Sequence, residues 1–205
     1  MNMLVLGATG RVGREVVRYA LADGWHVTAF VRSPEKVLPH ERLNIIKGNV
    51  LRKEDVRQAM KGVDVVVSAL NTDGNQTLSK SMPFIVEAME QEGIARLVTV
   101  GTAGILQSRI EPELLRYQSS ESRRTNTLPA EDHEAAYRYL ETTNLQWTIV
   151  CPTYLPDGEA TGIYRVEVDQ LPVDGRRITV GDTAHCVYKQ LMSDTYNRKR
   201  VGLAY

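Results

Sequence analysis

Cysteine is scarce in this sequence. Cys151 and Cys186 are the only two among 205 residues, and apart from His185 beside Cys186 neither has a histidine near it. No metal-ligand spacing results, so no metal site is expected. Two buried, inert thiols in a reducing cytoplasm are the expectation. An excess of one charge is lacking as well, with 25 Lys and Arg against 25 Asp and Glu. Without a basic excess, neither nucleic acid nor an anionic membrane is expected as a partner. No apolar run approaches a membrane span, and the opening MNMLVLGATG has neither the basic region nor the cleavage site of a signal peptide. A cytoplasmic location follows as an expectation. Repeats, low-complexity tracts and interdomain linkers are missing too. Residues 1–205 are therefore read as one domain, long enough to bury a full core.

What the sequence does have stands at its beginning. A short apolar run, residues 3–6, breaks into three glycines spaced three apart, Gly7, Gly10 and Gly13. A helical pattern follows, with Val12, Val16, Val17 and Ala20 on one face. Strand, glycine turn and helix in this order present unpaired backbone N–H groups and the positive end of a helix dipole to a phosphate. Gly7 lets the chain turn off the strand, Gly10 leaves room for a pyrophosphate, and Gly13 allows the helix to pack closely on the sheet. The spacing is G-x-x-G-x-x-G rather than the commoner G-x-G-x-x-G.

Residues 25–31 (WHVTAFV) read as the second strand. NAD-binding sheets usually carry an acidic residue at the end of that strand, where it bonds the ribose 2′-hydroxyl. Here Arg32 stands there, followed by Ser33 and, one turn on, Lys36. A guanidinium grips a 2′-phosphate with two parallel hydrogen bonds, so NADPH is the expected cofactor.

Strand and helix patterns then alternate. Residues 44–47 form a third strand, 53–60 a helix, 63–69 a near-continuous apolar strand, 77–92 a helix and 96–100 a fifth strand. This alternation requires right-handed crossovers and predicts a doubly wound parallel α/β sheet of the Rossmann kind, with a small C-terminal extension on the substrate side. The polar turn 70–75 and the small residues 101–104 fall at carboxyl ends of strands, where ligands bind in such sheets. Residues 106–129 lose any period, and a mobile flap over the acceptor pocket is expected there. A helical pattern returns at 131–140, and residues 145–151 form the sixth strand, which closes the main sheet. Beyond it the pattern suggests small strands at 164–168 and 177–180, a helix over 183–193 capped by Asp182, and an edge strand at 201–204.

Gly7-Ala8-Thr9-Gly10-Arg11-Val12-Gly13, Val31-Arg32-Ser33, Gly48-Asn49-Val50, Asp132-His133, Leu140-Glu141 and the run 145–164 together resemble the atypical short-chain dehydrogenase/reductases. The likeness is to the NAD(P)H-binding group around biliverdin-IXβ reductase/flavin reductase, and it spans nearly the whole chain. It implies a monomeric NADPH-dependent reductase passing hydride to a flavin, as substrate rather than prosthetic group, or to another flat conjugated acceptor. By position it implies that Gly7, Thr9, Gly10, Arg11, Val12 and Gly13 hold the pyrophosphate. Arg32 would take the 2′-phosphate, and Asn49 and Val50 would lie by the adenine. Leu70, Thr102, Pro152 and Tyr154 would line the nicotinamide and acceptor pocket, with Thr102 and Tyr154 as the residues meeting the chemistry. Three positions depart from the family: Asn49 replaces aspartate, Thr102 replaces serine, and Tyr154 replaces histidine, which alters the proton chemistry available.

Orthodox short-chain dehydrogenases use Tyr-x-x-x-Lys, in which the lysine lowers the phenol pKa. No tyrosine here has lysine four residues later; Tyr137 is followed by Glu141, Tyr154 by Gly158 and Tyr196 by Arg200. Reduction of a flavin needs no such acid, because solvent settles the final proton. Two other functions fit the sequence less well. One is an NADP-binding sensor that regulates a partner without turnover. The other is a nucleoside-diphosphate-sugar epimerase or dehydratase, which the short chain and the missing Tyr-x-x-x-Lys disfavour.

Overall fold

The computed structural model describes residues 1–122 and 124–205. Its centre is one eight-stranded sheet. β1 (Asn2–Leu6), β2 (His26–Val31), β3 (Leu43–Lys47), β4 (Val65–Ser68), β5 (Arg96–Val100), β6 (Gln146–Pro152), β7 (Arg165–Val168) and β8 (Lys199–Ala204) lie in the order β3-β2-β1-β4-β5-β6-β8-β7. All neighbours are parallel except β7 against β8. The chain reverses direction across the sheet between β1 and β4, the switch point at which doubly wound sheets open a crevice.

Alternation along the strands divides the core into two layers. On β1, Leu4 and Leu6 face one side while Met3 and Val5 face the other. The first side is covered by α2 (Lys53–Ala59), α3 (Thr77–Gln91) and α4 (Leu128–Glu141), whose Val56, Ile85, Met89 and Leu140 are fully buried. The second is covered by α1 (Arg11–Ala22) and α5 (Val180–Gln190) through Val16, Ala20, Ala184 and Val187. Both faces are therefore dry, which is why β4 reads as an unbroken VVV run rather than an alternating strand.

Four expectations are corrected. β8 is not an edge strand; it lies between β6 and β7, and β7 forms the edge. The sixth strand accordingly does not close the sheet. Residues 177–180 make no strand beyond a single bridge between Tyr154 and Arg177, because Val180 already starts α5. The cap of α5 is Thr179, whose Oγ1 accepts from Asp182 N at 3.1 Å. Asp182 sits in the first turn, buried, and holds a neighbouring loop: its carboxylate accepts from Thr161 N (2.9 Å), Gly162 N (2.8 Å) and Tyr205 Oη (2.6 Å).

The described part of 106–127 lacks regular period, as expected, but is tied down, and α4 already begins at Leu128. Leu106, Ser108 and Leu115 are buried, and Gln107 bridges Leu115. Arg109 donates to Leu171 O and pairs with Glu167 of β7, while Glu121 accepts from Arg109 N at 2.9 Å. These bonds fasten the stretch to the C-terminal edge of the sheet. Arg123, which falls within the expected flap, lies outside the described residues.

Candidate functional site

The turn between β1 and α1 is shaped by its glycines. Gly7 has φ +82°, and a Cβ there would stand 2.6 Å from Ala69 O at the end of β4. A Cβ on Gly13 would collide with the Gly7 carbonyl oxygen. The turn closes through Gly10 N donating to Gly7 O at 2.9 Å. Gly10 is the N-cap of α1 and supplies no side-chain hydrogen bond, so the first-turn N–H groups keep their donors for a ligand. A backbone cradle that any side chain would fill, at a helix N-terminus, suits a diphosphate.

A cleft of about 440 Å³ runs from this turn along the carboxyl ends of β1, β2 and β4. Of the residues singled out from sequence, Gly7, Thr9, Gly10, Arg32, Asn49, Val50 and Leu70 line it. Arg32 is exposed at its rim, and among the described residues no carboxylate lies within ion-pair distance of it. Asn49 is fixed twice: its N–H donates to Asp55 Oδ2 (2.9 Å), and its Oδ1 accepts from Leu51 N (3.0 Å). With that oxygen engaged, the carboxamide nitrogen is the group left to donate to a ligand.

The other singled-out residues lie elsewhere. Val12 and Gly13 are buried beneath the turn as packing for α1. The Arg11 side chain is directed to the segment after β6, where Nη1 donates to Leu155 O and to Asp157 Oδ1, both at 3.0 Å. Pro152 is buried at the end of β6. Thr102 caps a single 3₁₀ turn, Ala103–Ile105, accepting from Gly104 N at 3.4 Å. Tyr154 follows β6 as a 68% exposed residue, so it does not fill the core. Its backbone oxygen accepts from Ile178 N at 2.9 Å.

Sequence reasoning passed over Phe30 and Leu51 of the same region, whereas the polar turn 70–75, expected at a ligand-binding strand end, does reach the cleft through Asn71, Thr72, Asp73 and Asn75. The shared signal of these residues is position just before or after a carboxyl strand end, a topological property rather than a motif. His133, noted from sequence only as part of the family likeness, faces a narrow crevice shared with Leu78, Gly101, Ile105 and Tyr137. Burial pushes its imidazole down to about 4, so the ring is neutral at physiological pH. A second opening, about 460 Å³, lies at the amino ends of β1–β3 beside His26, Arg42 and Lys61. It has no glycine cradle and no helix N-terminus, and the cleft at the carboxyl ends is the better ligand site. Burial also pushes both thiols up, Cys151 to about 12 and Cys186 to about 11, which keeps them protonated.

The family described as NAD(P)H-binding matches residues 7–194 of the sequence. The chain belongs to that family. Among solved structures, it is similar over its whole length to a proposed epimerase from Bacteroides thetaiotaomicron, with 29% identity, TM-score 0.87 and 96% of that chain covered. It is also similar to SP1627 of Streptococcus pneumoniae TIGR4, a proposed NADH-flavin reductase, with 26% identity, TM-score 0.83, all of this chain covered and 99% of that one. A curated relative, the photosystem II assembly factor Ycf39 of Synechocystis, is 29% identical over 106 residues, 48% of this chain. The match spans only 32% of the length of that relative. The chain is therefore NAD(P)H-binding with an oxidoreductase-like fold, and no helix among the described residues is long and apolar enough to cross a membrane.

Proposed function

We propose that the protein is a cytoplasmic, monomeric, single-domain NADPH-dependent reductase whose substrate is a flavin or a similar flat conjugated acceptor. The observation that carries the reading is the pairing, in one cleft, of the Gly7–Gly10 cradle with a free guanidinium, Arg32, where NAD-binding sheets carry an acid. NADPH bound there would supply a hydride from its nicotinamide ring. The residues divide the binding between them. First-turn N–H groups of α1 hold the diphosphate, with Thr9 beside them. Arg32 grips the 2′-phosphate, Asn49 donates to the base, and Val50 and Leu70 give apolar contact. Thr102 and Tyr154 leave neighbouring strands, β5 and β6, on the carboxyl side. In this reading Thr102 orients the nicotinamide or a water, and the ring of the exposed Tyr154 is a platform for the acceptor. Neither is required as an acid, because solvent settles the final proton of a reduced flavin.

One observation favours a second reading, an NADP-binding sensor without turnover: Thr102, Pro152 and Tyr154 are not among the residues lining the cleft. A single experiment separates the two. Absorbance of the reduced nicotinamide band is followed with purified protein, NADPH and FMN. Steady, protein-dependent loss supports the reductase. Saturable NADPH binding with no loss against flavins or quinones supports the sensor.

A further inference from the structure

Arg11 occupies the first helical position of α1, beside the N–H groups that suit a diphosphate, yet its side chain serves a different partner. Nη1 is shared between Leu155 O and Asp157 Oδ1, both 3.0 Å away. Both partners lie on the segment that follows β6 and carries Tyr154. On its far side this segment is held by backbone bonds: Ile178 N to Tyr154 O, Val180 N to Pro156 O and Gly181 N to Gly158 O. The Arg11 contact therefore fastens the segment to the glycine turn. The pair is open to water, with the two side chains 53% and 83% exposed. Such a pair contributes little, whereas a guanidinium facing a phosphate makes charge-assisted, often bidentate bonds.

We infer that Asp157 sets cofactor affinity from outside the cleft, by competing with the cofactor's diphosphate for the Arg11 guanidinium. The inference rests on the dinucleotide reading of the α1 turn. Asp157 is thus a positioning residue that acts through Arg11. While it holds the guanidinium, the segment bearing Tyr154 stays drawn toward the turn. When the diphosphate takes the guanidinium, that fastening is given up. Removing the carboxylate removes the competitor, and binding improves rather than weakens.

The test is titration calorimetry of the full chain with two ligands, NADP⁺ and adenosine 2′-monophosphate, which has the 2′-phosphate but no diphosphate. Asp157→Asn should tighten NADP⁺ about two- to fivefold at low salt, the range set by an exposed pair. It should leave the monophosphate unchanged, and the gain should shrink at high salt. In an Arg11→Gln background the same Asp157→Asn change should have no effect. Unchanged or weaker NADP⁺ binding by Asp157→Asn overturns the proposal. So does equal tightening with and without Arg11, which would reduce Asp157 to a general repelling charge. Failure of the wild-type protein to bind NADP⁺ at all overturns the dinucleotide reading and this inference with it. Both side chains are at the surface, and circular dichroism of each variant checks the fold.

Discussion

Asp132, on α4, caps the N-terminus of a different helix. Its Oδ1 accepts from Ser79 N at 2.9 Å and from Ser79 Oγ at 2.6 Å, and its Oδ2 accepts from Leu78 N at 3.1 Å. The helix it caps, α3, begins at a left-handed Gln76 that offers no side-chain cap of its own. The carboxylate is buried and meets the positive end of the α3 dipole. Asp132→Ala leaves two first-turn N–H groups without partners, and a loss of about 1–3 kcal/mol in unfolding free energy is expected. Urea denaturation followed by circular dichroism measures it. A loss below about 0.5 kcal/mol would show that water replaces the carboxylate without cost.

The proposed preference for NADPH rests on Arg32. Arg32→Glu places a repelling charge where a 2′-phosphate would sit. Affinity for NADPH should fall by about 2–5 kcal/mol while NADH is much less affected. Fluorescence titration with both nucleotides reads the ratio. Equal affinity of the wild-type protein for NADPH and NADH would remove Arg32 from the site.

The proposed role of Tyr154 as an acceptor platform can be tested apart from cofactor binding. Because the residue is largely in solvent, Tyr154→Phe and Tyr154→Ala should both leave the melting temperature nearly unchanged. Tyr154→Phe should retain most flavin reduction. Tyr154→Ala should raise the acceptor KM and leave the NADPH dissociation constant alone. Unaltered acceptor kinetics in the alanine variant would dismiss the platform.

Asp182 predicts an acid dependence of stability. Burial alone would raise its carboxyl, but the hydrogen bonds from Tyr205, Gly162 and Thr161 outweigh it and hold the group below its ordinary value. A depressed folded-state pKa contributes stability that is complete above the unfolded value, about 3.9, and is lost as pH falls through the folded one. The wild-type unfolding free energy should therefore decline below about pH 4, and Asp182→Asn should flatten that decline at the cost of lower stability at neutral pH. Parallel profiles for the two proteins would show that other carboxylates govern acid unfolding.

Much of this arrangement is legible in the sequence because its causes are local. Gly10 and Gly13 are demanded by backbone contacts within one turn, Gly7 by its left-handed φ there as well as by Ala69 at the end of β4, and the apolar faces of α1 and α3 follow from periodicity. The doubly wound order up to β6 follows from the alternation of strand and helix. What is not legible depends on partners far along the chain. Nothing in Arg11 or its neighbours signals a bond to Asp157, nor does α3 reveal that its cap comes from α4. Thr179 and Asp182 both have N-cap chemistry, and the choice between them turns on Asp182 being needed by Thr161, Gly162 and Tyr205. The place of β8 is of the same kind: a short apolar strand pattern says nothing about which two strands will flank it. The aperiodic stretch after β5 looks mobile because its order comes from side chains such as Arg109 and Glu121 rather than from a repeating pattern.

The position of β8 also bears on how the sheet is assembled during synthesis. β7 is translated before β8, yet among the described residues β8 is its only partner in the sheet and lies between it and β6. While the chain grows, Arg165–Val168 is a strand with nothing to join, and the Arg109–Glu167 pair that anchors the aperiodic stretch must wait with it. The side of the crevice that carries Tyr154 is thus completed late, after the glycine turn and its neighbouring strands can already be in place.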